Sequence, residues 1–300
     1  MKIVILFALV FSALNSFAET ILTDVVEVEK INSEYVLFAS DGQIYRLNAD
    51  KDIEDAIRAK ELGFMVEIQL DETLDTSEIL GHRNNILGIS LSSKESMNSF
   101  YDSNPSHQKN YSPADLISSY ISDFDSEYQV NSLFQSLNGN MRRKSQCYNR
   151  AHVWSWELYR ISRSAGRIQT GKMWLFFTRK YIREYDYKWW FHIAPYLTVQ
   201  GQARVIDRTF TNGPLDERSW TNIFMQNNAA CPSVSRYTDY ENNQNAAYCY
   251  TIKTSVYYWQ PWQIEGLEKN GQVRDQWQSY EVKKAYKNAF GWRARVPELD

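Results

Sequence analysis

Three side chains in this sequence are placed to do nucleophilic chemistry: one cysteine, one histidine and one aspartate. Cys147 opens an expected helix directly after Arg142, Arg143 and Lys144. The partial positive charge of a helix start and the nearby cations both favour a thiolate, the nucleophilic form. Such a nucleophile needs a base beside it. The chain offers four histidines, His82, His107, His152 and His192. His152 follows on the same helix, where five residues turn the chain by about 140° and climb about 7.5 Å. It therefore points away from the thiol and reads as structural or solvated. His192 falls in an expected strand, sharing a face with Trp190, Ala194 and Tyr196, while Trp189, Phe191 and Ile193 face the other way. An imidazole among aromatics on a buried strand needs a partner. Asp207 ends the next expected strand and can be brought opposite by a hairpin turned at Gly201. A carboxylate there would orient the ring and stabilise its charged form. Taken alone, Asp207 fits a turn or cap as well.

Compartment decides how the cysteines read. Lys2, an apolar run over residues 3–14 and small residues up to Ala18 have the form of a secretory signal peptide over residues 1–18. The run is shorter than the roughly 20 apolar residues a membrane helix needs, so an exported protein without stable membrane insertion is expected. In an oxidising compartment two of the three cysteines should pair and the third stands out. Cys231 and Cys249 are close together in a polar, Asn-rich stretch. Pairing them closes a loop of about 18 residues, worth about 3 kcal/mol on the chain-entropy account. Cys147 is left as the free thiol, reactive or buried and inert.

Composition narrows the remaining classes. A formal net charge of −3 gives no reason to expect nucleic acid as a partner. No Cys-x-x-Cys or His-Glu-x-x-His spacing marks a metal site, and no phosphate-binding glycine loop appears, so neither metal nor cofactor is expected. The 20 Tyr and 10 Trp fit a β-rich core with cross-strand aromatic pairs, or an aromatic-lined cleft.

The elements that must position these residues fall into two parts. Residues 19–111 read as a small β-rich domain and linker: strands around Val25–Val28, residues 35–38 and 44–47 about an Asp41-Gly42 turn, a helix over 52–62 stopped by Gly63, and a strand at Phe64, Val66 and Ile68. Residues 92–111, rich in Ser and Asn, read as linker. Ser112-Pro113 then starts an expected helix with Leu116, Ile117, Tyr120, Ile121 and Phe124 as its stripe. Residues 112–300 continue with a turn at Asn138-Gly139-Asn140, a helix over 147–164 closed by Gly166, and strands over about 168–178, 187–199 and 203–208. A short helix over 216–225 and a strand over 251–258 follow. Helices before strands make this half α+β.

The local motifs carry a resemblance. Cys147-Tyr148-Asn149-Arg150-Ala151-His152 resembles the Cys-Tyr-x-Arg-Ala-His motif of bacterial protein-glutaminases. Trp190-Phe191-His192-Ile193-Ala194 is similar to their aromatic-His-Val-Ala strand. Arg204-Val205-Ile206-Asp207, with Gly213-Pro214 and Trp220 beyond, resembles their Ile-Asp-Pro segment, and Cys231-Pro232-Ser233-Val234-Ser235 extends the likeness, which covers about residues 140–260. Arg208 stands where the family usually has Pro. The resemblance implies a papain/transglutaminase-like domain, its Cys helix packed on an antiparallel sheet. It also implies Cys147 as nucleophile, His192 as base, Asp207 as orienter, and deamidation of glutamine in proteins. Trp190 is an expected substrate contact, and the N-terminal domain stands where family members carry a pro-region that covers the active site. Transglutaminases and cysteine peptidases use the same three residue types, and a non-catalytic aromatic-rich binding protein is the alternative from another class.

Overall fold

The computed structural model describes residues 19–71, 78–96, 117, 120–163 and 166–296. The expected signal peptide, the domain boundary near residue 111 and His107 lie outside these residues. The described chain is mixed α+β, with two main sheets.

The first sheet holds β1 (Thr20–Thr23), β2 (Val25–Ile31), β3 (Glu34–Ala39), β4 (Ile44–Leu47), β5 (Phe64–Leu70) and β6 (Asn84–Glu95), in the order β1-β5-β6-β4-β3-β2. Helix α1 (Asp50–Leu62) carries Asp50 and Asp52 in its first turn and ends on Gly63 at φ 69°, a left-handed cap that a side chain would strain. Ala56 and Ala59 bury its inner face against this sheet. Strand β6 runs to Glu95 because it pairs with β5 along its length, so residues 92–95, expected as linker, are strand.

The second sheet follows. Strand β7 (Asp123–Phe124) pairs in parallel with Thr198 and Val199. Of the stripe expected from Leu116 to Phe124, Leu116 lies outside the described residues, Tyr120 is exposed and Phe124 is in a strand. Then come α2 (Glu127–Ser136) and α3 (Cys147–Tyr159). Helix α3 stops at Tyr159, short of the expected 164, and Ser162–Arg163 (β8) pairs with Gly166–Arg167 (β9) instead. Strands β10 (Gly171–Phe177), β11 (Phe191–Val199), β12 (Gln202–Val205) and β13 (Cys249–Ser255) form the antiparallel order β12-β11-β10-β13. Five helices complete the chain: α4 (Arg179–Tyr185), α5 (Glu217–Phe224), α6 (Tyr237–Asn242), α7 (Pro261–Asn270) and α8 (Ser279–Phe290).

Helix α3 has no polar stripe. Cys147, Asn149, Arg150, Ala151, His152, Val153, Trp154, Ser155, Trp156 and Leu158 are all buried, as befits a helix enclosed on every side. It packs between β11 and α8. One buried polar cluster holds it from the far side: Lys172 Nζ lies 2.7 Å from His152 Nδ1 and donates to the Tyr258 carbonyl at 2.5 Å. Burial first, and repulsion from Lys172 second, hold His152 well below the usual imidazole range. His152 is thus structural and is not solvated.

The β10–β11 contact is tight. Gly171 faces Tyr196 across the ladder, and a Cβ at Gly171 would come 2.3 Å from a Tyr196 ring carbon. Gly171→Ala is expected to cost about 1–3 kcal/mol by overpacking. A urea titration comparing midpoints at constant slope measures it; an unshifted midpoint refutes it.

Candidate active site

Strand β11 begins at Phe191, later than expected, because residues 187–190 pair elsewhere. Tyr187 bridges His82 and Trp189 bridges Gln43, both in the N-terminal half. Strand alternation therefore does not extend back to the tryptophans. Trp189 stacks on His192, with centroids 5.7 Å apart and planes at 17°. Trp190 packs against Phe191 and Phe176 instead.

The hairpin between β11 and β12 turns at Gln200 and Gly201, both at positive φ, the geometry of a tight two-residue turn. Asp207 lies just beyond β12, where Ile206 N–H donates to the Pro195 carbonyl at 2.8 Å. This places Asp207 Oδ2 2.7 Å from His192 Nε2. A second donor, Trp220 Nε1 from α5, reaches the same oxygen at 3.0 Å. Both members of the pair are about 98% enclosed, with His192 2% and Asp207 1% exposed. Burial would raise the Asp207 carboxyl, but the imidazole, the two hydrogen bonds and Arg150 together hold it below the usual carboxylate value. Burial lowers His192, and Asp207 only partly offsets this. An ionised carboxylate accepts only, so Nε2 carries the shared hydrogen and Nδ1 is left to act.

Cys147 is the first residue of α3, and its sulfur is met by backbone N–H groups of Ile193 and Tyr148. Ile193 follows His192 on β11, so the thiol rests beside that residue. Cys147, Arg150 and His192 line one small cavity together with Trp189 and Phe191. Burial pushes the thiol up to about 12, against the pull of Arg150. The rest of that cavity's wall is Asp41, Gly42 and Gln43, the turn between β3 and β4. Its backbone is fastened to the approach to β11. Ile44 N–H donates to the Lys188 carbonyl at 2.8 Å, Trp190 N–H to Gly42 at 3.1 Å, and Trp190 Nε1 to Ala39 at 2.7 Å. Only about 10 Å³ is left beside the thiol, about one water's worth. Trp190 lies outside this space and borders a cavity of about 470 Å³ shared with Val25, Tyr237 and Gln260.

Other sequence features find plain roles. Cys231 and Cys249 form a disulfide, and Cys147 is the free cysteine. Arg208 donates to the carbonyls of Phe134, Gln135 and Leu137, capping the C-terminal end of α2, where a cation is favoured. Among the described residues no group of three His, Cys, Asp or Glu side chains is placed to hold a metal ion, and no helix is long and apolar enough to cross a membrane. Sequence reasoning did not assign roles to Trp220, Arg150 or the Asp41–Gln43 turn. A buried carboxylate's need for a second donor was the signal for Trp220; nothing local marks the turn.

No curated protein matches the chain. A crystal structure of pro-protein-glutaminase is 15% identical, with a TM-score of 0.48, covering 94% of this chain and 96% of that one. A mutant of pro-protein-glutaminase gives 15% and 0.49, covering 94% and 95%. The NMR structure of protein-glutaminase from Chryseobacterium proteolyticum gives 12% and 0.34, covering 60% and 97%. Residues 130–224, the segment that contains Cys147, His192, Asp207 and Trp220, match the family described as glutaminase.

Proposed function

We propose that this protein hydrolyses the side-chain amide of glutamine in proteins or peptides, giving glutamate and ammonia. The observation that carries the reading is the buried His192–Asp207 pair, whose imidazole shares one cavity with the free Cys147, inside the segment that matches the glutaminase family. His192 Nδ1 takes the Cys147 proton, and the sulfur attacks the carboxamide carbon. The protonated imidazole returns that proton to the departing nitrogen, releasing ammonia and leaving a thioester. Water, deprotonated by His192, then cleaves the thioester and restores the thiol. Backbone N–H groups at the start of α3 are the candidate oxyanion donors. Asp207 fixes the ring and its tautomer, and Trp220 fixes Asp207.

The Cys helix packed on the antiparallel β10–β13 sheet is the arrangement expected of a papain/transglutaminase-like domain over residues 112–300. Residues 19–111 are read as a pro-region whose Asp41–Gln43 turn closes the cavity, and residues 1–18 as the leader of an exported protein.

The test is product mass. After release of the N-terminal part, a glutamine-containing protein is expected to gain about 1 Da per site, NH₂ being replaced by OH, with equimolar ammonia. Chain scission or amine incorporation in place of that shift would point to a peptidase or a transglutaminase and end the reading.

A further inference from the structure

Arg150 is a buried cation that the proposed reaction does not use. It is 3% exposed and stands one helical turn after Cys147, on the same edge of α3. Its Nη1 donates to the Ser145 carbonyl, folding the guanidinium back beneath the helix start. The guanidinium carbon lies 5.8 Å from the Phe210 ring centre, and Phe210 in turn packs edge-on against His192 at 5.3 Å. Arg150 also lines the cavity of Cys147 and His192. A guanidinium stays charged at any working pH, and burying one needs an anion. Asp207, lowered in part by Arg150, is an anion beside it.

We propose that Arg150 is a positioning residue that balances the charge of Asp207, keeping the Cys147–His192–Asp207 site neutral before and after the thiol proton crosses to the imidazole. With thiol and neutral imidazole, Asp207 and Arg150 sum to zero. With thiolate and imidazolium, two anions face two cations. Without Arg150 the site holds one uncompensated negative charge in both states. Each loss of a proton from the Cys147–His192 pair would then make a buried negative site more negative, so both macroscopic steps must move to higher pH. The direction agrees with the pull of Arg150 on each group: burial, the larger influence, raises Cys147 and Asp207 and Arg150 lowers them against it, while burial and Arg150 both lower His192. The other ionisable groups bordering these residues are Tyr148 on α3, which burial keeps neutral, and Asp41 in the β3–β4 turn, raised to about 6, which is ionised across the labelling range and adds the same negative charge in wild type and variants.

The inference rests on the proposed reaction for its consequence, but its test needs no substrate. On the full chain, iodoacetamide labelling of Cys147 between pH 7 and 9 and the ¹³C-histidine NMR titration of His192 are compared for wild type, Arg150→Gln and Arg150→Lys. With Arg150→Gln, labelling is expected to slow by about tenfold at each pH and the His192 midpoint to rise by about one unit. Arg150→Lys is expected to restore both to within about threefold and a few tenths of a unit. A purely structural arginine gives the opposite sign in labelling: a loosened helix start exposes Cys147 and labelling accelerates, while relief of burial by itself also lifts the His192 midpoint toward its solvent value. Accelerated labelling, or an unshifted midpoint, overturns the proposal. Should Arg150→Gln lose the wild-type melt, Arg150→Lys decides: a tenfold slowing with the charge retained also overturns it. Absence of deamidation alongside the expected shifts would sink the proposed function and leave this inference standing.

Discussion

Severing the chain between Ser96 and Tyr120 and separating the two parts is expected to speed alkylation of Cys147 by roughly a hundredfold or more at pH 7.5. The thiol sits at about 12 because it is buried, against an ordinary 9.0. The Asp41–Gln43 turn supplies much of that cover, and only about 10 Å³ is open beside the sulfur while it stays. Each unit of pKa recovered below that value multiplies the thiolate about tenfold. Iodoacetamide mapping without reductant should label Cys147 and leave the Cys231–Cys249 disulfide intact. Separation itself should be easier in mild base. Asp41 is raised from 3.8 to about 6 in the docked form, chiefly by burial. A carboxyl raised on docking contributes stability that is full below its free value and is lost as pH rises through about 6. Equal labelling rates before and after separation would show that residues 19–96 do not restrain the site.

The second large effect is on turnover. Cys147→Ala is expected to abolish the mass shift, and Asp207→Asn to reduce it on the order of a thousandfold or more. The aspartate argument is one of charge. His192 Nε2 and Trp220 Nε1 both meet Asp207 Oδ2, so an amide with its oxygen at that place keeps both hydrogen bonds but loses the negative charge. The imidazolium formed when His192 takes the thiol proton is then buried with no carboxylate to stabilise it. Steady-state kinetics, with a melting curve to confirm folding, measures the loss. Retained activity in Asp207→Asn would remove the aspartate from the mechanism; retained activity in Cys147→Ala would remove the whole arrangement.

Local chemistry explains which elements were legible. The β11–β12 hairpin was readable from Gly201, α1 from Gly63 and its apolar spacing, and α5 from Asp216, whose side chain accepts from Ser219 N–H at 2.9 Å. The His192–Asp207 contact follows from that hairpin, since register and turn fix one another. What local pattern could not reveal is tertiary. Trp189 and Trp190 look like continuing strand, yet their backbone pairs with a turn almost 150 residues earlier in the chain. The spacing of Ile117, Tyr120, Ile121 and Phe124 is helical, but the parallel contact of Asp123 and Phe124 with β11 overrides it. Helix α4, seven residues long between β10 and β11, is announced only by its Thr178 cap. Trp190, read as a substrate contact, donates its indole N–H to the Ala39 carbonyl and borders a cavity neighbouring that of Cys147.

The turn that closes the cavity is held there largely by its main chain. Three of its fastenings use the carbonyls of Ala39 and Gly42 and the N–H of Ile44. Those atoms are common to nearly every amino acid, so side-chain changes along residues 39–44 leave the fastening in place. Two positions escape this tolerance. Gly42 stands at φ 88° with room for no Cβ closer than 3.3 Å to the Phe191 ring. Asp41 folds the turn on itself through Gln43 N–H and the Tyr45 hydroxyl. A protein fastened in this manner can let the sequence of its cover drift widely while the lock keeps its shape, and a random substitution is a poor way to pick that lock: cutting the chain is the more direct key.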